Sequence, residues 1–243
     1  MPPVVRKNYL RENIAMPENS TDKTLIDSLY PGEVITEEAR PMCLQGTLYS
    51  EEEAYLRNAM HKRRLEFTAG RLCARKALMQ LGIENFPLLV GNDREPIWPA
   101  GIIGSISHTE GYCAVAVARK CPIETLGLDV ELIWGLNRDC RRQICTQSEL
   151  AWVESLPSDK KQANVALLFS AKECLYKCQY PISRTWLDFQ DVAITINPDR
   201  GEFNATLLVN ISGFFKRGTY FSGKYLFRHG YVLTGMLMTS TRN

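Results

Sequence analysis

The segment that most constrains the fold is TLGLDVELIW, residues 125–134, which has the pattern of a buried strand but carries two carboxylates. Alternate residues of a strand point to the same side, so Asp129 and Glu131 face one way while Leu128 and Val130 face the other. Two like charges this close raise each other's pKa unless a cation or water lies between them. A bound divalent cation and an ordinary solvated strand edge both explain the pattern.

Hydrophobic periodicity predicts a mixed fold of helices and antiparallel strands. Residues 51–81 are good helix formers, in one helix or in two with a break near Gly70, and further helices are predicted at 146–156 and 158–178. The predicted strands are a hairpin within 104–119, the acidic segment 125–134, and segments 191–197, 203–211 and 228–238. The chain is long enough to bury a sizeable core, in one large domain or two smaller ones.

Two segments of the chain echo each other. FTAGRLCAR at 67–75 aligns with FSAKECLYK at 169–177, and a Gly-Tyr strand start recurs at 111 and 230. Short helical segments often match by chance, so this similarity alone is weak evidence for a duplication. It nevertheless suggests two halves, each with a helix on a small sheet, and a site between them.

Charge and cysteine usage exclude several classes of protein. The net charge of +2 is the difference between 29 basic and 27 acidic residues. The overall charge therefore does not indicate binding to nucleic acid or to an anionic membrane. The apolar runs are shorter than the roughly 20 residues of a membrane span, and the N-terminus lacks the pattern of a signal peptide. The eight cysteines include no C-x-x-C pair, which indicates free thiols. We therefore expect a cytoplasmic protein.

The helix at 158–178 places Glu173 and Lys177 four residues apart on one face. Such a pair is most often a surface ion pair, but here the surrounding residues are apolar and aromatic. Together with Asp129 and Glu131, Glu173 would give three oxygen ligands, which suits octahedral Mg²⁺ completed by water and phosphate.

Basic and hydroxyl side chains suggest phosphate recognition. Six basic residues lie within fifteen positions that hold one acid: Lys62, Arg63, Arg64, Arg71, Arg75 and Lys76. They form either a solvated helix face or a phosphate clamp. In GSISH, residues 104–108, Ser107 and His108 could also bind phosphate. We find no pattern of a serine hydrolase, a zinc site, a Walker motif or a dinucleotide-binding motif.

Six ordered motifs resemble those of the 4'-phosphopantetheinyl transferases, in the large monomeric branch that includes the surfactin-synthetase-activating enzyme and enterobactin synthetase component D. The motifs are R-x-x-E-F-x-A-G-R-x-x-A-R at 63–75, R-x-P-x-W-P at 94–99, G-S-I-S-H at 104–108, G-L-D-V-E at 127–131, T-x-x-E at 146–149 and F-S-x-K-E-x-x-x-K at 169–177. Each is weak alone, but their order over about half of the chain is specific.

The resemblance implies an α+β pseudo-dimer of two similar halves, each a small, mainly antiparallel sheet packed on a long helix. Residues 1–124 would form the N-terminal half and residues 125–243 the C-terminal half. Coenzyme A would bind in the cleft between the halves, and the protein would be a monomer with pseudo-twofold symmetry.

The resemblance also implies roles for residues. Asp129, Glu131 and Glu173 would hold Mg²⁺ against the pyrophosphate of coenzyme A, the co-substrate. The residues implied to bind coenzyme A are Arg64, Arg71, Arg75, Arg94, Ser107, His108, Lys172 and Lys177. Glu173 would act as general base, directly or through a water on the metal, Lys177 would stabilise the leaving group, and Glu149 would play a supporting part.

The implied reaction moves the 4'-phosphopantetheine arm of coenzyme A to a serine of an apo acyl or peptidyl carrier protein, giving holo-carrier and 3',5'-ADP. Such carriers are small acidic helical domains, and Arg138, Arg141 and Arg142 are candidates for docking them. Siderophore, nonribosomal peptide, polyketide and fatty acid synthesis remain open as the pathway served. A Mg²⁺-dependent phosphohydrolase that uses the same acids and a non-catalytic coenzyme A-binding regulator are the alternative functions.

Overall fold

The computed structural model describes residues 24–40, 44–137 and 140–240. The helices are α1 (Ser50–Glu53), α2 (His61–Gln80), α3 (Arg141–Ile144), α4 (Gln147–Ser155) and α5 (Ser158–Ser183). The strands are β1 (Ile35–Ala39), β2 (Ile102–Thr109), β3 (Tyr112–Arg119), β4 (Ile123–Leu132), β5 (Val192–Asn197), β6 (Glu202–Leu207), β7 (Tyr220–Arg228) and β8 (Tyr231–Thr239). Long helices and antiparallel strands occur together, so the predicted α+β class is confirmed.

The first sheet has three antiparallel strands in the order β1-β3-β2. Its central strand β3 is buried from Tyr112 to Ala118, as its nearly continuous apolar sequence requires. Gly111 makes the tight turn into β3 with a φ of +77°, which a residue with a Cβ rarely adopts. Helix α2 packs on this sheet and approaches it closely at Gly70, where an added Cβ would lie 3.2 Å from Ile106.

The second sheet has five antiparallel strands in the order β4-β8-β7-β6-β5. Strand β4 pairs with β8, and Asp129 lies opposite Thr234. Helix α5 packs against this sheet, and its buried Leu168 and Leu175 share a core with Phe203 of β6. This apolar contact fixes α5 on the face of the sheet to which the acidic residues of β4 point.

The two sheets meet where β2 runs beside the free edge of β4. The backbone amide of Leu128 donates to Ser105 Oγ at 3.1 Å, and that of Val130 donates to Ser107 Oγ at 3.2 Å. These serine hydroxyls satisfy amides for which the second sheet has no further strand. Two motifs that lie about twenty residues apart in sequence therefore become neighbours in space.

The segment around the short 3-10 helix Leu25–Leu29 lies on the second sheet. The Tyr30 hydroxyl donates to the carbonyl of Gly127, and an added Cβ at Gly235 of β8 would lie 2.8 Å from atoms of Leu29 and Tyr30. A part of the predicted N-terminal half therefore contacts the C-terminal half. The division at residue 124 and the pseudo-dimeric symmetry stay predictions.

Several local predictions need correction, among them the strand predicted at 203–211, which ends at Leu207. Helix α2 runs unbroken through Gly70, and the break lies instead between the 3-10 turn Ala54–Leu56 and His61. Helix α5 continues five residues beyond the predicted end at 178. Strand β7 was not predicted, because Gly223 and several polar residues obscure its pattern. Gly223 is needed there, since an added Cβ would lie 2.3 Å from the ring of Phe203.

Within the described part of the chain, no helix is long and apolar enough to cross a membrane. The predicted compartment stays a prediction. The seven cysteines of the described ranges are free thiols, as the missing C-x-x-C pattern indicated, and Cys43 lies outside those ranges.

Candidate active site

Glycine at position 127 allows β4 and α5 to approach each other unusually closely. A Cβ added to Gly127 would lie 2.1 Å from the backbone carbonyl oxygen of Cys174, so no other residue fits without displacing the helix. Close by, Thr125 Oγ1 donates to the carbonyl of Cys178 at 2.8 Å. Because Gly127 and Asp129 face the same side of β4, the same contact brings α5 against the acidic residues of the strand.

Asp129 stands at the centre of a buried polar cluster. Its side chain is almost fully buried, and Oδ1 accepts hydrogen bonds from Ser107 Oγ at 3.0 Å and from Lys177 Nζ at 2.7 Å. Lys177 Nζ also donates to Ser107 Oγ at 3.0 Å. The second carboxylate oxygen, Oδ2, is buried and has no hydrogen-bond partner within the described residues. A buried carboxylate oxygen without a hydrogen-bond partner costs free energy, which a bound ligand would reduce.

Three acids share this region, and their charges oppose one another. Burial, then the charges of Asp129 and Glu173, raise the pKa of Glu131 to about 8. Burial and then Asp129 also raise the pKa of Glu173 above its ordinary range. Burial disfavours the charged form of Lys177, but Asp129 outweighs it and the pKa of this lysine rises. One ammonium therefore faces three carboxylates, and a bound cation would reduce the repulsion among them.

The oxygens of these acids do not already surround a common point. Among the described residues, no group of three or more His, Cys, Asp or Glu side chains is arranged to hold a metal ion. The predicted ligands Asp129, Glu131 and Glu173 are therefore neighbours that interact electrostatically and do not form a ready-made metal centre.

His108 lies at the edge of the same cluster. Its Nε2 is 3.1 Å from Arg63 Nη1, and its Nδ1 is 3.6 Å from Glu66 Oε2. Burial lowers the pKa of His108, the charge of Glu66 opposes this shift, and the charges of Arg63 and Lys177 add to it. The structure thus brings Ser107 and His108 of the GSISH motif together with the acidic motif.

The two predicted arginines Arg71 and Arg75 lie on α2 and already have protein partners. Arg71 is buried, donates from Nε to the carbonyl of Leu88 at 3.0 Å, and stacks 3.9 Å from the centre of the Phe67 ring. Burial lowers the pKa of Arg71 to about 10. Arg75 forms an ion pair of 3.0 Å with the buried Glu52, whose other oxygen accepts the amide of Leu88 at 2.9 Å.

Arg64 and Arg94 lie nearer to solvent. Arg64 donates to the carbonyl of Leu56 at 2.6 Å and lies 3.7 Å from the Glu53 carboxylate. Arg94 is exposed at the tip of a turn, with a left-handed φ of +67°. No direct contact joins either side chain to the three acids. Arg138, one of the predicted docking residues, lies outside the described residues.

Lys172 is directed toward α3 and α4, away from Asp129. Its buried ammonium donates to Glu149 Oε2 at 2.8 Å and to the carbonyls of Ile144 and Phe189 at 2.8 and 2.7 Å. These three acceptors use all three protons of the ammonium. Glu149 in turn accepts the amide of Ile194 at 2.6 Å. This network joins α3, α4 and β5 to α5 at the residue that precedes Glu173.

A pocket of about 100 Å³ adjoins Glu173. Its lining is mainly apolar and aromatic and consists of Lys172, Glu173, Tyr176, Trp186, Leu187, Asp188, Phe189 and Val192. Tyr176 and Trp186 pack edge to face there, with ring centres 5.0 Å apart. The carboxylate of Glu173 thus lies between the polar cluster and an apolar pocket.

The sequence analysis did not predict that Glu52 and Glu66 hold basic residues in place. It also did not predict that Glu149 is the partner of Lys172. Glu66 carried a signal, since it is the single acid in the basic run of α2. Glu52 carried none, because its burial depends on the chain segment around Leu88, which is distant in sequence.

Comparison with known protein families covers most of the chain. Residues 51–118 match the family model of the 4'-phosphopantetheinyl transferase N-terminal domain. Residues 125–234 match the model of the 4'-phosphopantetheinyl transferase superfamily, and this second match contains all three acids and Lys177.

Individual relatives agree with these matches. The chain is 34% identical to 4'-phosphopantetheinyl transferase Svp of Streptomyces mobaraensis, over 89% of this chain and 90% of that protein. It is 33% identical to 4'-phosphopantetheinyl transferase PptT of Mycobacterium tuberculosis, over 77% and 85%. It is 34% identical to enterobactin synthase component D of Escherichia coli, over 62% and 72%.

Proposed function

The chain belongs to the 4'-phosphopantetheinyl transferase superfamily, and we propose that the cluster around Asp129 is its active site and acts with Mg²⁺. The reaction transfers the 4'-phosphopantetheine arm of coenzyme A to a serine of an apo acyl or peptidyl carrier protein and releases 3',5'-ADP. The observation that supports this site best is the buried contact of Asp129, Lys177 and Ser107 where the two sheets meet.

Asp129, Glu131 and Glu173 would hold the Mg²⁺. The fit rests on the buried, unpartnered Oδ2 of Asp129, and on the burial and mutual repulsion that raise the pKa of both Glu131 and Glu173. Carboxylate oxygens are the ligands that Mg²⁺ prefers. The side chains of Glu131 and Glu173 would have to rotate toward Asp129. When bound, Mg²⁺ would neutralise negative charge on the pyrophosphate of coenzyme A.

The basic side chains would bind the remaining negative charge of coenzyme A. Lys177 is held by Asp129 with its ammonium beside the proposed pyrophosphate position. The proposed phosphate-binding residues are Arg71, Arg75, Arg94, Ser107 and His108. Arg64 and Arg75 would bind phosphate while their guanidinium groups also lie near Glu53 and Glu52, respectively. Lys172 is left out, because its three donors are used within the C-terminal half.

Glu173 would take the proton of the attacking serine. Its side chain interacts electrostatically with Asp129 and Lys177 and also lines the adjoining pocket, so it would lie beside both the metal and the attacking hydroxyl. The adjoining apolar pocket would receive the pantetheine arm, which extends from the phosphate that the serine attacks. Positioning and charge stabilisation then supply most of the catalysis, as is general for phosphoryl transfer.

The test is a transfer assay with purified protein, coenzyme A, Mg²⁺ and an apo carrier protein. Mass spectrometry of the carrier should show a gain of one phosphopantetheine arm, which is lost on chelation of Mg²⁺ and in Glu173→Gln. The control variant Glu84→Gln, at an exposed acid outside the proposed site, should leave transfer unchanged. Release of 3',5'-ADP without modification of the carrier would instead support a phosphohydrolase.

A further inference from the structure

The turn that carries Arg94 is built tightly around the carboxylate of Glu95. The amide of Gly91 donates to the carbonyl of Glu95 at 2.7 Å, and the amide of Arg94 donates to the carbonyl of Gly91 at 3.1 Å. The amide of Asp93 donates to Glu95 Oε2 at 3.0 Å. A Cβ added to Gly91 would lie 2.5 Å from the Glu95 carboxylate, so the side chain folds back over the glycine. The turn presents Arg94 to solvent at its tip.

The other oxygen of Glu95 reaches across to the second half of the molecule. Glu95 Oε1 accepts a hydrogen bond from Arg184 Nη1 at 2.7 Å. Arg184 caps the C-terminus of α5 in a left-handed conformation with a φ of +51°, and its amide donates to the carbonyl of Tyr180 at 2.9 Å. The hydrogen bond with Arg184 also lowers the pKa of Glu95, which keeps the carboxylate charged.

The same turn is fixed on its other side to the first sheet. Trp98 packs over Gly104 of β2, where an added Cβ would lie 2.6 Å from the indole ring. Strand β2 carries Ser107, and α5 carries Glu173 and Lys177. The turn therefore has one attachment to each of the two elements that form the cluster.

We propose that Glu95 and Arg184 are positioning residues for coenzyme A. Their ion pair holds the Arg94 turn at a fixed distance from α5, so that Arg94 and the cluster around Asp129 act on one ligand. This inference rests on the proposed function, in which Arg94 binds a phosphate of coenzyme A. The ion pair would increase the affinity for coenzyme A by preorganisation, because a guanidinium on a tethered turn loses less conformational freedom when it binds an anion.

The test measures the affinity for coenzyme A by calorimetry in the presence of Mg²⁺, together with KM and kcat of transfer. Glu95→Gln and Arg184→Gln should each weaken coenzyme A binding about three- to fivefold, the range of an exposed ion pair, with kcat and the KM for the carrier unchanged. Gly91→Ala, which displaces the Glu95 carboxylate without touching Arg184, should have the same effect. The matched control is Arg200→Gln, which breaks an exposed ion pair with Glu202 on the far sheet and should change nothing.

Arg94→Ala decides whether Glu95 acts through Arg94. Arg94→Ala should weaken binding about tenfold, as expected for the loss of a charge-assisted contact, and Glu95→Gln should then add no further loss in the double variant. If Arg94→Ala weakens binding but Glu95→Gln does not, or if the two losses multiply, the positioning role is wrong and the proposed function stands. If Arg94→Ala has no effect, the role of Arg94 in the proposed function fails, and this inference fails with it.

Discussion

Lys172→Met is expected to destabilise the protein strongly, because it leaves the buried charge of Glu149 without a partner. Both side chains are 2% exposed, and the ammonium also satisfies the carbonyls of Ile144 and Phe189. Removal of one partner from a buried ion pair costs about 3–5 kcal/mol. For a chain of this length, such a loss lowers the melting temperature by about 6–20 °C. Transfer should fall as well, since the network fixes the helix that carries Glu173, the proposed general base.

Thermal and urea unfolding of purified variants measure this effect. Lys160→Met, at an exposed position of the same helix, is the matched control and should stay within about 0.5 kcal/mol of the wild type. Adding Glu149→Gln to Lys172→Met should recover part of the loss, because the amide removes the buried charge and keeps an acceptor. The reasoning is refuted if Lys172→Met melts like the wild type and instead loses affinity for coenzyme A, as the family resemblance alone implied.

Two further predictions concern β4. Gly127→Ala should abolish transfer and lower the melting temperature, because the new methyl group collides with the backbone of α5, whereas Gly32→Ala, in open space, should change neither; an active, fully stable Gly127→Ala would contradict the close approach. Burial, then Asp129 and Glu173, raise the pKa of Glu131 to about 8, so in metal-free protein this residue contributes stability at low pH that is lost as the pH rises through about 8. Glu131→Gln should flatten this pH dependence of the melting temperature, and Mg²⁺ added above pH 8 should raise the melting temperature of the wild type more than that of the variant. If the melting temperature changes equally with pH in both proteins, the raised pKa of Glu131 does not affect stability and the prediction is wrong.

The sequence was sufficient to predict those site residues whose arrangement follows from their spacing within one helix or strand. The i,i+2 acids of β4 and the i,i+4 pair of α5 each lie on one face of a regular element, and the family resemblance implied that they meet. The structure places Asp129 and Lys177 in direct contact. Strand β4 was also predicted within about two residues of its observed bounds, and helix α5 was predicted to begin where it does.

Other features depend on contacts between distant segments and could not be predicted. Lys172 and Lys177 look alike in sequence, but only the tertiary fold directs Lys172 away from the cluster and toward Glu149. The pairing of Ser107 with the amide of Val130 likewise exists only because two sheet edges meet. Strand β7 was missed because Gly223 is required by packing against Phe203, which local periodicity does not show.

The central claim is that Asp129, Glu131 and Glu173 hold one metal ion beside Lys177. Crystals grown with coenzyme A and Mn²⁺ in place of Mg²⁺ test it directly through the anomalous scattering of the metal. The account predicts a single anomalous peak in contact with oxygens of all three carboxylates and of the pyrophosphate. A peak bound by coenzyme A alone, or one away from Asp129, would contradict it.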